Sequence, residues 1–371
     1  MLIGIDASRA VASHPTGTER YSQRLIAALL AEDTPHRFRL YFRTAPPAGH
    51  FQERGAEHTV IPFPRLWTHI RLSWEIARHP PEALFVPAHV LPLVHPPLSL
   101  VTVHDLGYCY FPRAHPRLQR LYLDLSTRWN ARAAAHILAD SQATRSDLIR
   151  WYGTPPEKIT VAYPGLDLTP PPVQPTAHLE AVKARYGIPG DYLLYLGTLQ
   201  PRKNLARVIA AFAELRRRMP DTRAITLVLA GQRGWLYHGL FAQVERLGLT
   251  DHVRFTGYIP DADKAPLLSG ALAFVFPSLY EGFGLPVLEA QACGCPVITS
   301  TTSSLPEVAG EAALLVDPHD TDAIAAAIAR VVGDPRLRQN LRERGWANVQ
   351  RPVFSWRTCA RTVLQTIEQS G

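Results

Sequence analysis

Two glutamates stand eight residues apart in Glu281-Gly282-Phe283-Gly284-Leu285-Pro286-Val287-Leu288-Glu289, with a glycine-rich turn between them. Pro286 suits the first turn of a helix. The spacing therefore puts Glu281 in a loop and Glu289 about one turn into the helix that follows. The amides of Gly282, Phe283, Gly284 and Leu285 would then point out of a helix N-terminus, where they can bind anions or hydroxyl oxygens. A carboxylate accepts two hydrogen bonds from a vicinal diol, so acids flanking such a cradle suit a sugar and a ribose. A second group is Gly197-Thr198-Leu199-Gln200-Pro201-Arg202-Lys203-Asn204, which follows an apolar strand and precedes a helix. Ligands of α/β sheets bind at the C-terminal ends of strands. There Arg202, a planar fork, and Lys203, a mobile point charge, suit a diphosphate. For the dipeptide alone, an exposed basic turn is the plainer alternative.

Such groups need a scaffold that gathers strand ends, and two segments of the chain share the required grammar. The first has a strand over 2–6, a loop ending in Thr16-Gly17-Thr18, and a helix over 19–31 with Leu25, Ile26, Leu29 and Leu30 at helical spacing. Short apolar runs follow at 39–42, 83–86, 100–104, 136–139 and 158–162. A proline-rich break, Leu168-Thr169-Pro170-Pro171-Pro172-Val173-Gln174-Pro175, cannot pair in a sheet and reads as a stiff linker. The grammar then restarts, with strands over 192–197, 225–230, 253–256, 273–277, 296–299 and 313–316. Between them come helices over 205–218, 266–270, 286–292 and 321–332. Strands alternating with helices imply mostly parallel α/β sheets of Rossmann type, one in each half.

Composition removes several alternatives. A chain of 371 residues suggests two or three domains, and 46 % hydrophobic with 19 % charged residues excludes wholesale disorder. No apolar run reaches bilayer length, and the N-terminus reads as a strand and not a signal peptide, so a cytoplasmic protein is expected. Cys109, Cys293, Cys295 and Cys359 offer neither a disulfide framework nor a zinc spacing, and read as small buried residues. The net charge of +7 is scattered, without the stripe or tail of a nucleic-acid binder. Only four of the 39 basic residues are lysines, namely Lys158, Lys183, Lys203 and Lys264.

The two motifs occur with Val101-Thr102-Val103-His104-Asp105-Leu106, Asp140-Ser141, Val161-Ala162-Tyr163-Pro164-Gly165-Leu166-Asp167 and Phe255-Thr256-Gly257-Tyr258. Together, and in this order, they resemble family 4 of the retaining glycosyltransferases (glycosyl transferases group 1), in the style of its bacterial mannosyltransferases. The resemblance implies the GT-B fold: α/β, two Rossmann-like domains with parallel sheets facing a central cleft. It also implies a last helix that crosses back, hence an acceptor-side domain of 1–168 plus 354–371, a linker over 169–180 and a nucleotide-sugar domain over 181–353. The implied reaction is metal-independent and needs no cofactor. It moves a hexose from a nucleotide diphosphate-sugar, with retention, to a saccharide or lipid-linked saccharide in surface-polysaccharide assembly. GDP-mannose is the first donor expected and a UDP-hexose the next.

The resemblance also assigns roles. Arg202 and Lys203 would neutralise the diphosphate, Glu281 and the amides of Gly282 to Leu285 would hold the donor sugar, and Glu289 the ribose. Gly197 belongs to the phosphate turn, and His104 would sit on the sugar side. Gly17 would let the N-terminal loop close on the phosphates, although Glu19 stands where the family often has a second glycine. Tyr258 and Ile259 lie where the family holds the base, mostly by backbone. No Asp-x-Asp stands in a suitable loop for a metal, and Asp261-Ala262-Asp263 reads as a solvent-side helix cap.

Rival classes are a sugar-nucleotide epimerase, a non-catalytic member of the fold and an NAD enzyme, which would want G-x-G-x-x-G after the first strand. Finally, segments 66–74 and 113–122 interleave cations with aromatic and apolar residues. That mixture suits peripheral contact with an anionic membrane face. Core packing of Trp67 and Trp74, seven apart on one helix face, is the alternative.

Overall fold

Short runs of three to six residues, most of them hydrophobic, become the strands of two all-parallel sheets. The computed structural model describes residues 1–12, 17–51, 55–88, 90–112, 116–167, 176–234 and 237–371. The chain divides into one unit of Met1–Gly165 with Pro352–Gly371 and a second of Leu166–Arg351.

The first unit contains β1 (Leu2–Asp6), α1 (Gly17–Ala31), β2 (Arg37–Phe42), β3 (Glu57–Val60), α2 (Ser73–Arg78), β4 (Ala83–Val86) and β5 (Ser99–Val103). It continues with α3 (Gly107–Tyr110), α4 (Arg117–Ala133), β6 (His136–Ala139), α5 (Gln142–Tyr152) and β7 (Ile159–Val161). Its strand order is β3-β2-β1-β4-β5-β6-β7. The second unit holds α6 (Thr176–Arg185), β8 (Tyr192–Leu196), α7 (Leu205–Arg218), β9 (Thr226–Ala230), α8 (His238–Arg246), β10 (Val253–Gly257), α9 (Asp261–Gly270) and β11 (Ala273–Phe276). Then come α10 (Leu285–Ala292), β12 (Val297–Ser300), α11 (Leu305–Ala309), β13 (Ala313–Val316), α12 (Thr321–Gly333) and α13 (Pro335–Val349). Its order is β10-β9-β8-β11-β12-β13. Each order reverses once, beside β1 and beside β8, and such a reversal opens a crevice at the strand C-termini.

The final helix, α14 (Trp356–Ser370), belongs to the first unit. Its apolar face, Cys359, Ala360, Val363, Leu364 and Ile367, joins the core that includes Leu25, Ile26, Leu29 and Leu30 of α1. Glu32, just past α1, pairs with both Arg357 (3.1 Å) and Arg361 (2.8 Å). These two arginines hold the Glu32 carboxyl below its ordinary range, against the smaller upward push of burial.

Several expectations are revised. Of the expected linker 169–180, residues 176–180 are the start of α6, and 169–175 lie outside the described residues. Asp261-Ala262-Asp263 is no cap. It forms the first turn of α9, and Asp263 is buried, with both carboxylate oxygens on Arg185 Nη1 (2.9 and 2.7 Å) and one also on the Tyr186 hydroxyl (2.7 Å). Trp67 and Trp74 do not share a face. A π-helical turn, Trp67–Leu72, precedes α2 and shifts the register that a 3.6-residue period would give. Trp67 is buried, its indole N–H on the Ile61 carbonyl, whereas Trp74 is 45 % exposed between Arg71 and Arg78. Cys293, Cys295 and Cys359 are buried as expected, and Cys109 is half-buried.

Asp6 ends β1 at the reversal point and is fully buried. Ser8 N–H donates to its Oδ1 at 3.0 Å, while Oδ2 has no partner among the described residues. Burial pushes the carboxyl up to about 6, with Ser8 and Arg9 pulling partly back. A folded-state value above the unfolded one means that ionising Asp6 costs stability, and the cost develops as pH rises from about 4 to above 6. Asp6→Asn is therefore expected to raise stability at pH 8 by about 1–3 kcal/mol and to change it little at pH 4. Denaturant melts at the two pH values test this. An equal effect at both would refute it.

Candidate functional site

The reversal in the second sheet sets the loops after β8 and β11 side by side. After β8, Pro201–Lys203 make a single 3-10 turn, and Asn204 then adopts a left-handed backbone (φ 64°) before α7 begins. The Asn204 amide nitrogen donates to the carbonyls of Pro277 (3.0 Å) and Pro318 (2.6 Å), pinning the turn to the loop after β11. Leu279 N–H donates to the Arg202 carbonyl at 2.9 Å and ties the same two loops again.

This stitching brings Arg202, Lys203 and Glu281 into one buried cluster. Lys203 Nζ lies 2.6 Å from Glu281 Oε1, and Arg202 Nη1 lies 3.1 Å from Glu281 Oε2 and 2.6 Å from the Tyr280 carbonyl. Lys203 also stands 5.0 Å from the centre of the Phe276 ring. Burial alone would push the Glu281 carboxyl up, but the two cations overcome it and hold the group below its ordinary range. The triad carries a net positive charge in a site of low dielectric, which suits an anionic ligand. Of the four lysines only Lys203 sits here. Lys158 instead donates to the carbonyls of Ala131 and Arg132 at the end of α4, while Lys183 and Lys264 pair with Glu180 and Asp261.

The glycine turn is held from behind. Ser304 Oγ lies 2.9 Å from the Glu281 carbonyl and 2.6 Å from that of Phe283, and Ser303 Oγ accepts the Glu281 N–H at 2.9 Å. A trans peptide points its N–H opposite its carbonyl, so the Gly282 and Gly284 amides face away from Ser304. Gly284 has φ 104°, and a Cβ there would meet Leu305 Cδ2 at 2.7 Å. Any other residue would be strained by this backbone conformation and would have to displace the Leu305 side chain. Gly284 is the N-cap of α10, Leu285 its first residue, and Glu289 lies half-buried further along the same helix. Gly197 follows β8 directly. Tyr258 is 57 % exposed and Ile259 buried in the loop after β10.

His104 and Gly17 belong to the first unit. His104 follows β5, with Nδ1 2.7 Å from Asp140 Oδ2 and Nε2 3.0 Å from the Pro87 carbonyl. Both ring nitrogens are thus engaged, Nε2 donating to the Pro87 carbonyl and Nδ1 sharing a proton with Asp140, whose carboxyl burial pushes up. Burial by itself would lower the pKa of the ring, but Asp140 and the Pro87 carbonyl more than offset this and push it up. The edge of the ring packs on Tyr21, centroids 4.7 Å apart. With both ring nitrogens engaged, a direct bond from the His104 side chain to a sugar would require it to release Pro87 or Asp140. It lines a cavity of about 360 Å³ with Thr18, Glu19, Asp105 and Ser126, where Glu19 is paired with Arg9 at 3.0 Å. Gly17 opens α1 beside this cavity, and loop residues 13–16 lie outside the described residues.

Sequence reasoning left Asn204, Ser303, Ser304 and Asp140 without a supporting role. Asn204 and Asp140 carried a local signal, each standing in a motif just before a helix, whereas Ser303 and Ser304 carried none. Among the described residues no group of His, Cys, Asp or Glu is arranged to hold a metal ion.

Two family models cover this architecture. Glycosyltransferase Family 4 matches residues 15–170, and Glycosyl transferases group 1 matches 181–347. The O-antigen chain mannosyltransferase B of Escherichia coli is 37 % identical over 270 residues, spanning 72 % of this chain and 69 % of that protein. The chain belongs to glycosyltransferase family 4. As a member of that family it is a glycosyltransferase, and the triad lies in its group 1 domain. Its fold is GT-B. Sucrose-phosphate synthase from Thermosynechococcus elongatus superposes with a TM-score of 0.76 at 23 % identity, covering 100 % of this chain and 98 % of that one. Anabaena HepE, solved with UDP and glucose, superposes at 0.74 and 19 % identity, covering 99 % of each. At these identities the family 4 chain shares their fold alone.

Proposed function

We propose that the protein transfers a hexose from a nucleotide diphosphate-sugar, with retention and without a metal, to a saccharide or lipid-linked saccharide of a surface polysaccharide. Mannose from GDP-mannose is the first donor, in keeping with the 37 % identity to a mannosyltransferase. The observation that carries the reading is the Arg202–Glu281–Lys203 triad at the sheet's reversal point. As the bond between the anomeric carbon and the diphosphate breaks, negative charge gathers on the departing oxygen. Arg202, Lys203 and the amides before α10 meet that charge with dipoles already in place. Each Glu281 oxygen binds one cation, and the carboxylate keeps acceptor capacity for a sugar hydroxyl. The test is release of nucleoside diphosphate from a panel of nucleotide sugars, with and without acceptor and chelator. Release from GDP-mannose that depends on acceptor and survives excess chelator is expected. Activity restored only by Mg²⁺ or Mn²⁺ would defeat the metal-free reading.

Glu289 binds the ribose in this scheme. Glu289→Ala loses two hydrogen bonds to a diol and should weaken GDP binding by about 1.5–3 kcal/mol. Unchanged affinity in calorimetry would remove Glu289 from the site.

The cavity beside His104, lined by carboxylates and hydroxyls, takes the acceptor sugar. A lipid-linked acceptor also fits the neighbouring surface. Ile70 and Trp74, with Leu118, Leu121 and Leu125 of α4, are exposed, and His69 touches Tyr122 across the gap. Arg71 and Arg78 flank Trp74. Such a mixture suits an anionic lipid surface. Residues 113–115 of the second basic segment lie outside the described residues. Co-sedimentation with anionic but not neutral vesicles is expected, and no sedimentation with either would end this part of the proposal. Among the described residues no helix is long and apolar enough to cross a membrane.

A further inference from the structure

The loop after β9, Gly231-Gln232-Arg233-Gly234, carries a cation that the triad does not use. Beyond the sheet proper, Leu199 and Arg233 form a parallel bridge, with Leu199 N–H on the Gln232 carbonyl (2.9 Å) and Gly234 N–H on the Leu199 carbonyl (3.0 Å). Gly231 makes this possible: its φ is 144°, and a Cβ there would meet the Gly197 carbonyl oxygen at 2.0 Å. On the other side, Gly231 N–H donates to the Gly257 carbonyl at 2.8 Å. The backbone of Arg233 is therefore fixed between the loop that leads to Arg202 and Lys203 and the loop that leads to Tyr258. Its strand, β9, is the middle one of β10-β9-β8, and two strand spacings amount to roughly 10 Å. That span matches the distance from a diphosphate to its base.

The Arg233 side chain differs from the triad's cations. It is exposed, and no carboxylate among the described residues pairs with it. Its guanidinium rests instead over Tyr237 (5.6 Å) and Phe241 (5.7 Å), and Phe241 packs on Phe255 of β10 at 4.3 Å. Aromatic support holds the planar fork in place and leaves its donors unspent. A planar partner with two acceptors on one edge is what such a fork recognises; guanine offers it through O6 and N7, and cytosine through O2 and N3. Adenine pairs an acceptor with a donor on that edge, and uracil has a single acceptor.

We propose that Arg233 reads the O6/N7 edge of guanine and makes the chain selective for a guanosine nucleotide-sugar. The inference rests on the nucleotide reading of the second unit. Calorimetric titration of the full chain and of Arg233→Met with GDP, CDP, UDP and ADP tests it, with thermal melts to confirm folding, and CDP binding as tight as GDP binding would overturn it. Expected are tighter binding of GDP than of UDP by the parent, and a loss of about tenfold or more in GDP affinity with no change for UDP in the variant. Arg233→Lys should keep part of the preference, since an ammonium also donates to O6 and N7 but without the planar fork. An equal loss for GDP and UDP would make Arg233 a diphosphate contact and overturn the proposal, as would no loss for either. If the folded parent binds no nucleoside diphosphate, the nucleotide reading itself falls, and that result is distinct from both.

Discussion

Lys203→Ala is expected to lower turnover by roughly a hundredfold or more, as for a lost transition-state contact of about 3 kcal/mol. The ammonium is buried, 2.6 Å from Glu281 Oε1. Its charge matters most when the diphosphate departs, so kcat should fall further than KM rises. The variant leaves Glu281 with Arg202 as its remaining cation, and the carboxyl pKa should climb back toward the ordinary range. The sign follows from linkage. A carboxyl depressed in the fold stabilises above its unfolded pKa and loses that contribution as pH falls through the folded value. In Lys203→Ala this acid limb should therefore move to higher pH. Turnover at the parent level in a variant whose melting curve shows intact folding would defeat the assignment.

Glu281→Gln should damage stability more than any other single change in the site. Both carboxylate oxygens hold cations, Lys203 buried and Arg202 partly buried, and removing the charge leaves the two facing each other without compensation. Breaking a buried pair from one side costs about 3–5 kcal/mol. For a unit of this size that is a fall in melting temperature on the order of 10 °C. An anion should restore part of the loss, so GDP should raise the melting temperature of the variant more than that of the parent. A variant as stable as the parent would mean that the two cations do not depend on Glu281. Activity should fall as well, because the geometry of both cations is set through this carboxylate.

Local chemistry made much of the fold legible in the sequence. The strands over 2–6, 83–86, 136–139 and 313–316 stand where their apolar runs stood, and α7 spans 205–218 as its period required. These elements are decided by neighbours a few residues away, through turn residues and hydrophobic spacing. β3 escaped because Glu57–Val60 is an edge strand with mostly exposed side chains and no apolar run. The motifs at the ends of β8 and β11 were legible for the same local reason: glycine, proline and charge are concentrated where a strand gives way to a helix.

What residues many positions apart do to each other was left to the tertiary structure. The sequence offered Arg202 and Lys203 to a phosphate and Glu281 to a sugar, as separate tasks. Folding spends all three on one another, across 78 and 79 residues, because burying any of these charges alone is prohibitive. His104 offered a ring at a strand end. Only the packing of β4, β5 and β6 supplied Pro87 and Asp140 as its two partners and so fixed the orientation of the ring. In the same way, a π-helical turn separated Trp67 from Trp74, and the docking of Arg185 and Tyr186 turned Asp263 from an expected cap into a buried anchor. Periodicity and turn chemistry are properties of the chain itself. The state of a buried charge depends on which partners the fold brings within about 3 Å, and only the folded chain decides that.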